Sequence, residues 1–146
     1  MIFFDDTYFM RIALQEAAIA FEKDEIPVGA VVVVQDRVIA KTHNLTEQLH
    51  DVTAHAEMQA ITSASNYLAG KYLKSCTLYV TLEPCQMCAG ALYWSQIDKI
   101  VYGATDAERG FNTMGTKLHP KTIVKSGVLE NEASDLLKQF FENRRE

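Results

Sequence analysis

Apolar side chains return at helical spacing from Asp6 to Lys23, where Phe9, Ile12, Ala13, Leu14, Ala17, Ile19, Ala20 and Phe21 fall between acidic and basic residues. This pattern predicts an amphipathic helix. Pro27 and Gly29 interrupt it, and Val28 to Val34 is a β-branched run too short for a buried helix and suited to a central strand. Gln35, Asp36 and Arg37 make a polar break before Val38, Ile39 and Ala40, so an antiparallel hairpin is expected, with Asn44 just beyond its second strand. A second helix is expected from Ala54 to Leu68, with Met58, Ile61 and Ala64 on one face, Thr53 as its cap and Gly70 as its stop. Cys76 to Leu82 then reads as strand, Cys85 to Ser95 as helix and Ile100 to Gly103 as strand. Thr105 to Lys121 contains Gly110, Gly115 and Pro120 with little periodicity and is expected to be a long loop with one helical turn. A short strand at Thr122 to Lys125 and a helix at Glu130 to Arg144, with Leu136, Leu137, Phe140 and Phe141 at helical spacing, complete the series.

Strands alternating with helices after the first hairpin imply parallel pairing through helical crossovers, hence an α/β three-layer fold with a mixed, five-stranded central sheet between helices. No repeat, linker or low-complexity stretch divides the chain, so one domain over residues 1–146 is expected. With 48% hydrophobic and 23% charged residues it has the composition of an ordinary globular protein. A net charge of -5 argues against a protein that coats nucleic acid non-specifically. Lys117, His119, Lys121 and Lys125, with Arg144 and Arg145, nevertheless offer a basic edge late in the chain, or a scatter of solvated side chains. The opening residues lack the basic start and apolar run of an export signal, and no segment reaches the roughly 20 apolar residues of a membrane span, so the expected location is the cytoplasm, with no membrane. There three cysteines point to metal binding or burial and away from disulfides.

The sharpest chemical pattern is His55-Ala56-Glu57 followed, one strand later, by Pro84-Cys85-Gln86-Met87-Cys88. Cysteines three apart at a helix start face one way, and the unpaired N–H groups of that turn favour the thiolate that binds metal. A CxxC alone is equally a redox pair or half of a structural zinc knuckle, and His-x-Glu alone is weaker still. In this order, with both halves opening helices, they form the pattern of zinc nucleobase deaminases. His55, Cys85 and Cys88 are then the ligands of one Zn²⁺ with a fourth position left for water, whose pKa falls toward about 7 there. Glu57 lies about 200° around the helix from His55 and is placed to move protons beside that position, not to ligate as an equivalent group. Cys76 reads as a buried thiol, His43 and His50 as surface or loop residues, and Tyr93 and Trp94 as core or subunit-interface residues.

These motifs, with Asp24 to Ala30, His43-Asn44, Thr53 to Glu57, Leu78 to Cys85 and Met87 to Ala91, resemble the cytidine deaminase superfamily and, within it, the bacterial tRNA adenosine deaminase (TadA) family, over nearly the whole chain. The resemblance implies a cytidine-deaminase-like fold and a homodimer converting the wobble adenosine of a tRNA anticodon to inosine. It implies that Asn44 hydrogen-bonds the target nucleotide and that Ile26, Ala56 and Leu82 line its pocket. Asp106 would sit by the anticodon loop, and Phe141 with Arg145 would contact flanking nucleotides. A single-stranded loop suits such chemistry, because splaying out an unpaired base costs only a few kcal/mol, on the order of one unstacking. Departures from the family pattern lie at Glu108-Arg109-Gly110-Phe111 and at His119-Pro120-Lys121. Tyr93-Trp94 is similar to the guanine deaminases, which makes a deaminase of a free base or nucleoside (guanine, cytosine or adenosine type) the alternative. A non-catalytic zinc-stabilised RNA-binding subunit is a third reading, against which Glu57 stands.

Overall fold

A computed structural model describes residues 3–144. The first helix, α1 (Asp6–Glu22), opens with the Asp5 side chain accepting from the Tyr8 amide at 2.8 Å. Strands β1 (Gly29–Val34) and β2 (Arg37–His43) follow, joined at Gln35 and Asp36, both with positive φ, in the left-handed turn a two-residue hairpin needs. β2 runs three residues past the expected Ala40, because Lys41, Thr42 and His43 pair as an edge whose polar side chains hide its strand character in the sequence.

Helix α2 (Ala56–Leu68), strand β3 (Cys76–Leu82), helix α3 (Gln86–Ser95) and strand β4 (Lys99–Ala104) form the centre of the fold. A single turn α4 (Phe111–Met114), a short strand β5 (Ile123–Lys125) and helix α5 (Glu130–Arg144) follow. The sheet order is β2-β1-β3-β4-β5, with β1 antiparallel to both neighbours and β3, β4 and β5 parallel. The mixed five-stranded sheet expected from the sequence is the one observed.

Both faces of β1 are covered, which is why its valines run without polar interruption. Ala30 and Val32 pack in one cluster with Leu78, Val80 and the α2 residues Ala56 and Ala60, while Val31 and Val33 pack on the other side with Phe9, Met10 and Ala13 of α1. Gly29 lets α1 lie directly on the strand, since a β-carbon there would collide with the Ala13 carbonyl and the Ala17 amide.

Two local expectations are corrected. Thr53 does not cap α2: its hydroxyl donates to Asp51 Oδ1 at 2.7 Å, and the N-cap is His55. Nor is Gly70 the left-handed stop; that residue is Ala69, with φ 55°, followed by the Gly70 amide donating to the Ser65 carbonyl. An L side chain in that conformation costs about 1 kcal/mol, so Ala69→Gly should raise stability by about that amount, read as a higher urea midpoint at unchanged slope.

Candidate metal centre

Two helix starts meet at the carboxyl end of β3. His55 is the N-cap of α2 and Cys85 the N-cap of α3, and neither uses its side chain in the usual capping hydrogen bond. The freed donor atoms face each other instead: His55 Nδ1 lies 3.6 Å from Cys85 Sγ and 3.5 Å from Cys88 Sγ. A tetrahedral zinc with bonds of about 2.3 Å to sulfur and about 2.05 Å to nitrogen requires an N···S edge of about 3.6 Å. The donors already stand at that spacing, and two sulfurs with one imidazole suit zinc in softness as well as in distance. Among the described residues these three form the only group of three or more His, Cys, Asp or Glu able to share an ion, with all donor atoms within 4.8 Å.

The electrostatics favour a cation among them. A hydrogen bond from the Cys88 thiol lowers Cys85 to about 4 against the effect of burial, with His55 and the Cys88 amide assisting. Cys88 moves the other way, held up by its bond to the Cys85 sulfur and then by burial. A cation held there would reverse that second shift, because a ligating thiol loses its proton. His55 is raised, chiefly by Cys85, while burial opposes and Glu57 adds to the rise. Glu57 sits in the first turn of α2, 4% exposed and against the Cys88 thiol, and burial lifts its carboxyl to about 7. The site therefore holds a carboxyl group close to neutral-pH titration beside a three-donor metal position.

The other candidate residues are placed unevenly. Asn44 is buried, its Nδ2 donating to the Ile26 carbonyl at 3.4 Å and its Oδ1 accepting from the Thr46 amide at 3.3 Å. One N–H and one lone pair remain for a further partner. Ile26 is 37% exposed and Leu82 half-buried. Ala56 has no exposed surface and packs in the core cluster with Ala60 and Ala64. Asp106 is half-buried after β4, its Oδ1 accepting from the Glu108 and Arg109 amides. Phe141 is exposed on α5 with its ring against Phe140, and Arg145 lies outside the described residues.

His43 is not a free surface residue: its Nδ1 pairs with Glu16 at 3.0 Å and its Nε2 lies 3.3 Å from Lys23 Nζ. His50 is exposed in a loop, as expected, and Cys76 is buried. Trp94 is not core, being 76% exposed, and its ring meets that of half-buried Tyr93. The expected basic edge is thinned, since Lys125 bonds Asp6 at 2.7 Å and Arg144 donates to the Asp24 carbonyl at 2.6 Å.

Several side chains that sequence reasoning missed hold the site's segments together. Gln59 Nε2 donates to the carbonyls of His43 at 2.7 Å and Ala54 at 3.1 Å, and Thr42 Oγ1 donates to the Ala56 carbonyl at 2.7 Å. These bonds join the end of β2, next to Asn44, to the start of α2. Glu25, fully buried, accepts from the Glu47 and Gln48 amides at 3.0 and 2.7 Å and ties down the loop after Asn44. No pattern along the chain marks them, because their partners are backbone groups that are the same at every position.

The fold and this donor set together define a zinc-dependent deaminase. Residues 4–104 match the zinc-binding region of cytidine and deoxycytidylate deaminases. The chain is 46% identical to the tRNA-specific adenosine deaminase of Aquifex aeolicus, over 94% of this chain and 95% of that protein. A structure solved in a study of A-to-I editing by tRNA:A34 deaminases superposes with a TM-score of 0.82 at 43% identity, covering 90% of this chain and 99% of the other. A guanine deaminase from Bacillus subtilis superposes less well, with a TM-score of 0.66 at 34% identity, covering 75% and 69%. The chain belongs to the cytidine and deoxycytidylate deaminase family, in its tRNA-specific adenosine deaminase branch. Among the described residues no helix is long and apolar enough to cross a membrane.

Proposed function

We propose that this protein hydrolyses the wobble adenosine of a tRNA anticodon to inosine and ammonia. The observation that carries the reading is the meeting of His55, Cys85 and Cys88 at zinc spacing beside buried Glu57, in a chain whose near full-length relatives are tRNA-specific adenosine deaminases. Zinc held by these three residues supplies, when bound, a Lewis acid that makes water acidic at a corner the protein donors leave open.

Glu57 takes a proton from the attacking water and delivers it to N1 of the adenine ring as the new C6–O bond forms. It then takes the remaining proton from the new C6 hydroxyl and carries it to N6, so that the C6–N6 bond breaks with ammonia as leaving group and the carbonyl of inosine is left at C6. A carboxyl group near neutral-pH titration suits both transfers, because it gives up a proton about as readily as it takes one. Asn44 orients the nucleotide with its remaining N–H and lone pair, and Ile26 and Leu82 supply apolar walls. Asp106, Phe141 and Arg145 meet the nucleotides around the reacting base. A second copy of the chain completes the assembly, a reading supported by Trp94, whose indole is 76% exposed on α3.

The deciding measurement offers zinc-loaded protein an anticodon stem-loop with adenosine at the wobble position and, separately, free guanine, cytosine and adenosine. Inosine and ammonia are expected from the stem-loop. Turnover confined to the free compounds would replace this function with that of a base or nucleoside deaminase.

A further inference from the structure

Glu83 has no part in the chemistry described above. It follows β3, two residues before Cys85, and is 2% exposed. Both of its carboxylate oxygens are used, and both face the segment after β4. Oε1 accepts from the Asp106 amide and Oε2 from the Asn112 amide, each at 3.0 Å. No basic side chain takes part in either bond, so the charge is balanced by backbone N–H groups at a cost that burial of a carboxylate always carries.

The bond to Asn112 solves a problem in α4. The N-cap of that turn is Gly110, which has no side chain to satisfy the first amides. Glu83 caps it from another part of the chain. Gly110 has φ -63° and ψ 153°, a backbone conformation open to any residue, so conformational freedom does not call for glycine. Space does: a β-carbon at position 110 would collide with the carboxylate of Glu83. The acid and the glycine are thus mated. Around them, the Glu83 amide donates to the Ala104 carbonyl at 2.8 Å, the Phe111 amide donates to the Pro84 carbonyl at 2.9 Å, and Cys85 and Gly110 form an antiparallel bridge. Asp106, once held by its amide, uses its own carboxylate to order the turn through Glu108 and Arg109.

We infer that Glu83, mated to Gly110, is the positioning residue for the 105–112 loop and so sets the enzyme's grip on the RNA around the reacting base. The kinetic half of this inference rests on the anticodon-deaminase function proposed above; the structural half does not.

The test compares the parent with Glu83→Gln, Glu83→Ala, Gly110→Ala and the double variant Glu83→Ala/Gly110→Ala, all zinc-loaded. Amide hydrogen exchange across residues 105–112 is followed without substrate, together with zinc content and the separate values of KM and kcat on the stem-loop. Glu83→Ala should speed exchange in that segment by about tenfold or more, as loss of charge-assisted hydrogen bonds implies. KM should rise by a similar factor, with kcat changed by less than about threefold and zinc content unchanged. Glu83→Gln, which keeps one acceptor oxygen, should lie between Glu83→Ala and the parent. Gly110→Ala should reproduce the loss, and the double variant should be no worse than Glu83→Ala alone, because removing the carboxylate makes room for the new methyl group.

Unchanged exchange in Glu83→Ala would overturn the loop assignment whatever the substrate. Additive losses in the double variant would overturn the pairing. Lost zinc, or a fall in kcat at constant KM, would move Glu83 to the metal site. A parent inactive on the stem-loop would overturn the substrate reading alone, and the exchange experiment would still decide the loop.

Discussion

Glu57→Ala is expected to lower kcat for deamination by about 10³ to 10⁴-fold while the protein keeps one zinc per chain and its fold. The magnitude follows from the two proton transfers asked of one carboxylate, from water to N1 and from the new C6 hydroxyl to N6. Zinc should stay because the donors are His55 and the two cysteines, with Glu57 in the first turn of α2 against the Cys88 thiol. Removing a carboxyl group that burial already disfavours as an anion should cost little stability. Single-turnover assays on the stem-loop, paired with metal analysis of the same sample, make the check. Activity within tenfold of the parent would remove Glu57 from the mechanism, and a parallel loss of metal would make it a ligand or ligand support.

The second large effect concerns the metal itself. Cys88→Ala is expected to abolish detectable turnover and reduce zinc to a small fraction of an equivalent, because two donors remain where three stood at tetrahedral spacing. Cys88 is fully buried, so its loss also removes the linkage between metal binding and folding across α2 and α3. A site loaded at about 1,000 times its dissociation constant contributes about 4 kcal/mol, which in a chain of this size corresponds to a melting temperature lower by on the order of 10 °C. The chain should still fold, since two apolar clusters on either side of the sheet do not depend on the metal. Stripping the parent with a chelator should produce the same state, and added zinc should restore the parent but not the variant. A variant with full zinc occupancy would show that another donor completes the site and that the three-ligand assignment is wrong.

Much of the fold was legible because it rests on local periodicity. The valine run of β1 and the apolar stripe of α1 declare their elements within a few residues, and the mixed five-stranded sheet follows from their alternation. Errors arose where several local partners compete. Thr53 has the chemistry of a cap, yet Asp51 lies close enough to take its hydroxyl, and His55 becomes the N-cap instead. Gly70 looks like a stop, but the chain turns left-handed one residue sooner, at Ala69.

Taken alone, the sequence determined the donor set: His55, Cys85 and Cys88, with Glu57 two residues from the histidine and both ligand motifs at the starts of helices. Spacing within one turn encodes such things, since neighbours along the chain are neighbours in space. Only the tertiary structure decided that His55 presents Nδ1 to both sulfurs, that Lys125 is bound to Asp6, and that Glu25 and Glu83 hold loops more than twenty residues away through backbone amides. Backbone amides are the same at every position and leave no mark in the residue pattern. A buried acid that serves them therefore becomes intelligible only when the chain has closed around it.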